Sequence, residues 1–165
     1  LQKKNLKSDE WNLQLLEKRF GNHLQNSQVN NKKGCFKMNI VEKIASIEDM
    51  SSCVGASDEQ IMEAEKALGL KFSDDYSACL RAFGLAAVNG HELTGLGKTS
   101  YLNVVDVTET ERKNNTQISG NLYVIEKTNI DGIIVWQDMS GIIYTAEPGC
   151  NIKKVCDSLS EYIDL

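Results

Sequence analysis

The chain has 165 residues, of which 41% are apolar and 25% charged, and its net charge is −5. That is enough apolar material for one proper core, and the length favours a single folded module. No run of about eighteen apolar residues occurs, which excludes a membrane-spanning helix, and the opening L-Q-K-K-N-L-K-S-D-E-W lacks the apolar stretch of a signal peptide, so a cytoplasmic location is expected.

The charge is unevenly divided. Residues 1–37 carry eight Lys/Arg against three Asp/Glu, +5, whereas residues 38–165 carry ten against twenty, −10. An acidic body argues against direct nucleic-acid binding, because phosphate contacts require cationic side chains. It suits a basic protein partner. The five cysteines include no C-x-x-C, and only His23 and His91 could join them at a metal. Clustered ligand spacing is missing, so neither metal nor cofactor is expected. The thiols are read as free, with Cys79 in the core.

In the leader, Ser8 can cap a helix from Asp9 to about Phe20, with Trp11, Leu15 and Leu16 on one face and Gly21 as its stop. A polar Asn/Gln/Lys linker follows, and Met38 reads as the start of the acidic module. The chain therefore divides into residues 1–37 and 38–165. Ile40, Ile44 and Ile47 recur at helical spacing within 40–50, and S-S-C-V-G-A at 51–56 turns the chain into a pair of amphipathic helices. Ser57 with Gln60 forms a capping box for the first, Ile61, Ala64 and Leu68 mark its apolar face, and Gly69 stops it. Ser73 starts the second at once. It presents Tyr76, Cys79, Leu80 and Phe83 and ends at Gly84.

L-A-A-V-N-G at 85–90 reads as a loop and H-E-L-T-G-L-G at 91–97 as a short strand broken by glycine. Residues 101–112 are ambiguous: β-branched residues favour a strand, whereas Leu102, Val105 and Glu109 fit a helix face, and the second half is assigned to helix. Leu122–Lys127, Ile133–Gln137 and Ile142–Thr145 are three strands joined by short N-I-D-G and D-M-S-G connections, hence an antiparallel meander. Residues 151–155 can add an edge strand. A last helix is capped by Asp157 or Ser158, with Leu159, Tyr162 and Ile163 facing inward. Helices followed by strands predict an α+β domain, helices on one face of a mainly antiparallel sheet.

The helical pair, with Glu65, Leu68, Gly69, Leu70, Phe72, Tyr76 and Leu80 in place, resembles the SUKH superfamily. The usual Pro before the second helix is replaced by Ser73, which caps where Pro would start. I-D-G at 130–132, S-G-x-x-Y at 140–144 and D-S-L-S-E-Y-I at 157–163 extend the likeness over roughly residues 40–165, with Glu65, Leu68, Gly69, Tyr76 and Leu80 as its fold signature. The resemblance implies a bacterial immunity protein that binds a toxin domain, often a nuclease with a basic groove, and blocks it by occlusion. The alternative it implies is a regulatory adaptor.

Other motifs carry less. A phosphate loop at G-L-G-K-T would need Gly where Glu92 stands, and a carboxylate there repels phosphate. Asp131 before Gly132 is a turn former, and Trp136 in an apolar strand is core. No set of acids shows the spacing of ligands or of a glycosidase pair, so the chain is read as a binding protein and not an enzyme. The carboxylates expected to meet a toxin's Lys and Arg are Glu92, Asp106, Glu109, Glu111, Asp131 and Asp138.

Overall fold

The structure is a computed structural model that describes residues 38–97, 100–148 and 150–165. The leader helix expected from Asp9 to about Phe20, and the linker after it, lie outside the described residues. The helices and the sheet make up one compact unit, Met38–Asp164.

Helix α1 (Ile40–Ala45) is opened by the Asn39 side chain, which accepts from Glu42 N at 2.9 Å. It is shorter than the 40–50 expectation. Ser46 folds its amide and hydroxyl back onto the last-turn carbonyls, and Ser51–Ser52 already pair as strand β1. Helix α2 (Asp58–Leu68) has both halves of the Ser57/Gln60 capping box and ends at Gly69 with φ +67°. Helix α3 (Asp74–Phe83) is capped by Ser73, and its inward face buries Tyr76, Cys79, Leu80 and Phe83.

Residues 85–90, expected as a loop, instead hold strand β2 (Ala86–Val88), which turns through Asn89 (φ 50°) and Gly90 (φ 80°) into β3 (His91–Leu93). Positive φ at both central residues is what a tight primed turn demands, and Asn-Gly supplies it. The ambiguous 101–112 stretch resolves into a single turn of tighter helix at Ser100–Leu102. Helix α4 (Val104–Asn114) comes next, started by Asn103, whose side chain accepts from Val105 N and Asp106 N.

Strands β4 (Tyr123–Lys127), β5 (Ile134–Gln137), β6 (Ile143–Ala146) and β7 (Lys153–Cys156) complete the sheet, and helix α5 (Leu159–Tyr162) is capped by Ser158. The expected three-strand meander is the middle of a seven-stranded antiparallel sheet in which each strand lies beside its neighbour in sequence, β1 to β7. Among the described residues, five helices accompany this one antiparallel sheet, which is the expected α+β fold class.

The pleat sorts side chains to two faces. Tyr123 pairs across the strands with Gln137, and Gln137 with Ile143. That face meets α3, where the Tyr123 hydroxyl accepts from Ser73 N at 3.0 Å and its ring lies edge-on to Phe72. Val124 pairs with Trp136, and Trp136 with Tyr144. On that opposite face, Val124 and Trp136 form a smaller apolar cluster with Val107 of α4, Leu122 and Ala146. Helix α4 is tied to the sheet by Thr108, whose hydroxyl accepts from Val124 N at 2.9 Å. Arg112 adds a second tie by donating to the carbonyls of Leu68, Gly120 and Leu122. Its guanidinium thus stops the α2 end and the β4 entry together, and burial pulls its pKa below the usual arginine value.

Candidate binding surface

The signature residues build the scaffold. The Glu65 carboxylate accepts from Phe72 N at 3.0 Å and pairs with Lys71 at 2.5 Å. It thereby clamps the turn from α2 to α3, and an acidic residue is needed at that point. Leu68, Tyr76 and Leu80 are buried, and the Tyr76 hydroxyl donates to Thr94 O at 2.9 Å, tying α3 to the loop after β3.

A polar network runs through the interior. Gln137 accepts from the Tyr123 hydroxyl at 2.8 Å and donates to Gly141 O at 2.9 Å. A second group joins β3, β4 and α5: Glu126 Oε2 lies 2.8 Å from His91 Nδ1 and 2.6 Å from the Tyr162 hydroxyl, with the three residues 2%, 1% and 0% exposed. Imidazole, carboxylate and phenol do converge here, but solvent and substrate are shut out. Burial pushes the Cys79 and Cys156 thiols up to about 12, which disarms both as nucleophiles near neutral pH. Among the described residues, no group of three or more His, Cys, Asp and Glu is placed to hold a metal ion. No helix among them is long and apolar enough to cross a membrane.

The six expected contact carboxylates do not form one patch. Glu92, on the outward side of β3, and Asp106, in the first turn of α4, line a groove of about 360 Å³ together with Tyr101, Thr110, Lys127 and Asn129. Tyr101 is 64% exposed, and neither carboxylate has an ion-pair partner among the described residues. Glu109 stands exposed one turn beyond Asp106. Glu111 points elsewhere: it pairs with Lys127 at 2.7 Å and lines a second pocket on the far side of α4. Asp131 sits with φ 48° in the β4–β5 turn. Asp138 is occupied inside its own turn, where its carboxylate accepts from Ser140 N, Ser140 Oγ, Ile142 N and the Tyr144 hydroxyl.

Two further features leave no trace in the sequence. Met62 of α2 and Met139 of the β5–β6 turn, 63% and 64% exposed, border one hollow with Ile61 and Phe72. The pocket beyond α4 is lined by Ile134, Trp136 and Ala146 of the sheet, with Glu147 and Cys150 at its rim. Methionines far apart in sequence carry no periodic signal, and a pocket assembled from the end of α4, two strands and the loops beside them carries none at all.

The model of the family described as SMI1-KNR4 cell-wall, SUKH_5, matches residues 38–164. No curated protein matches the chain.

Proposed function

From the premise that this chain belongs to the SMI1-KNR4 (SUKH) family, we propose that it is a cytoplasmic immunity protein that neutralises a basic toxin domain, a nuclease, by covering its active groove. The observation that carries the reading is the groove between β3 and α4, where Glu92 and Asp106 stand without cationic partners among the described residues, beside the exposed ring of Tyr101. Two uncompensated carboxylates and an aromatic face are what an incoming guanidinium uses, through a charge-assisted hydrogen bond and stacking. The net charge of −10 over residues 38–165 adds long-range attraction toward a cationic partner. The protein has no chemistry of its own in this reading. Its imidazole, carboxylate and phenol are closed into the core, where they brace the sheet.

The test is survival. Where a basic nuclease domain is encoded beside this reading frame, cells that express it should live when the chain is co-expressed and die when it is not. Death despite abundant folded protein removes the immunity reading. A regulatory adaptor is the second reading, favoured by the cell-wall wording of the family description and by the Met62/Met139 hollow, since paired exposed methionines make an adaptable docking face. An adaptor would retain its endogenous partner when both Glu92 and Asp106 are replaced by Lys. An immunity protein would lose its toxin.

A further inference from the structure

Among the described residues six large apolar side chains stand exposed, and two of them border one hollow: Met62 of α2, 63% exposed, and Met139 of the β5–β6 turn, 64% exposed. Its floor holds Ile61 and Phe72, 3% and 5% exposed. Flexible thioethers at the rim of an apolar floor form a surface that gains from being covered. The lining holds three acids and two bases, whereas residues 38–165 together carry twenty acids and ten bases. An acidic protein repels its own copies, and at this hollow the local balance removes most of that repulsion.

The charges also stand in order. The turn at 69–73 folds α2 and α3 into a hairpin, and Ala56 N donates to Leu80 O at 2.9 Å where the hairpin ends meet. At that end Arg81 Nε pairs with Asp58 at 2.6 Å. At the turn, Lys71 covers the buried Glu65 carboxylate at 2.5 Å, and Asp74 opens α3, exposed and without an ion-pair partner among the described residues. Followed around the hollow, the exposed charges run Asp58, Arg81, Asp74, Lys71, so negative and positive alternate. A rim of alternating sign is complementary to itself: turning a second copy face down, by a two-fold axis either along or across the hairpin, sets each charge opposite one of the other sign. We propose that this hollow is where two copies of the chain pair, each copy's Met62 and Met139 closing on the Ile61–Phe72 floor of the other. A contact of two helix faces and one turn is small, so the dimer forms and parts readily. The hollow shares no lining residue with the β3–α4 groove, so the pairing does not rest on the toxin reading.

Sedimentation velocity tests the pairing, on the full chain and with a reductant that keeps the exposed Cys53 and Cys150 from cross-linking. The wild type should pass from monomer to dimer between micromolar and millimolar concentration. Met62→Lys and Met139→Lys, at exposed positions where the fold loses little, should each weaken the dimer about tenfold or more at an unchanged melting temperature. Asp58→Lys with Asp74→Lys makes the exposed rim wholly positive, and Lys71→Glu with Arg81→Glu makes it wholly negative. Each double variant alone should be monomeric, and an equimolar mixture should form a heterodimer, although both chains keep a negative net charge. Wild type that stays monomeric throughout leaves the hollow to a different protein and overturns the proposal. A dimer that both methionine variants leave intact places the contact elsewhere and overturns it too, as does a mixture of folded double variants that stays monomeric.

Discussion

Glu126 shows how a single residue can be misplaced by pattern alone. Within Y-V-I-E-K a glutamate should alternate outward, yet the register shifts between Val124 and Glu126, and the carboxylate turns into the core against His91 and Tyr162. The bulge inserts one residue and re-aims the side chain, and nothing in the strand's composition announces it. Tyr162→Phe should cost about 1–3 kcal/mol in a urea melt, because a buried carboxylate loses a donor. Combined with Glu126→Gln, the loss should fall short of the sum of the single losses by about 0.5–3 kcal/mol, and strictly additive losses would mean that the two groups are not coupled. Cys79 gives a residue-scale pH dependence. Burial lifts its pKa from 9.0 to about 12. The folded state therefore prefers the protonated thiol, whose stabilisation is complete below the unfolded value. As pH rises from 9.0 toward about 12, the unfolded chain ionises first and stability falls by about 1.4 kcal/mol per pH unit from this group. Cys79→Ala should flatten the urea-midpoint slope in that window by this amount relative to wild type.

At the level of elements, caps and turns are the readable part. The Ser57/Gln60 box, the Gly69 stop and the Ser73 cap all stand where local chemistry puts them, since each is decided within one turn of helix. The β2–β3 hairpin escapes a reading of the sequence although Asn89-Gly90 carries a strong local signal, because Ala86 and Ala87 give a strand no β-branched bulk. Gly95, which reads only as a break in a strand, does more. A Cβ on Gly95 would stand 1.9 Å from Gly84 O, and one on Gly84 (φ +64°) 2.1 Å from Val54 O. Three segments thus touch backbone to backbone at one spot between α3 and the sheet. Gly95→Ala should leave too little folded protein to purify, or lower the melting temperature steeply. Gly69→Ala, with open space around its φ of +67°, should cost only about 1–2 kcal/mol. Equal effects in a thermal melt would contradict the close approach.

Across the whole molecule, fold class was legible because hydrophobic period and connection length act over short ranges. Of the proposed binding surface, only the sign of its charge can be read from the sequence. The acidic balance of residues 38–165 is a sum over the sequence, but which acids are free to act depends on partners supplied from elsewhere in the fold. Glu111 is taken by Lys127 and Asp138 by its own turn, whereas Glu92 and Asp106 meet across a groove. Replacing Glu92 and Asp106 with Lys should lower the association rate for a basic partner about tenfold or more at low salt and weaken its salt dependence, as stopped-flow mixing would record. Asp138→Asn should leave that rate unchanged.

Because every strand lies next to its predecessor, the sheet can zip up in the order in which a ribosome delivers it. One ingredient arrives late: Glu126 is laid down in β4, but the phenol that caps it belongs to a residue 36 positions downstream. Until α5 docks, Glu126 has His91 of β3 beside it but not this phenol, and the inner layer is closed only when the last helix is in place.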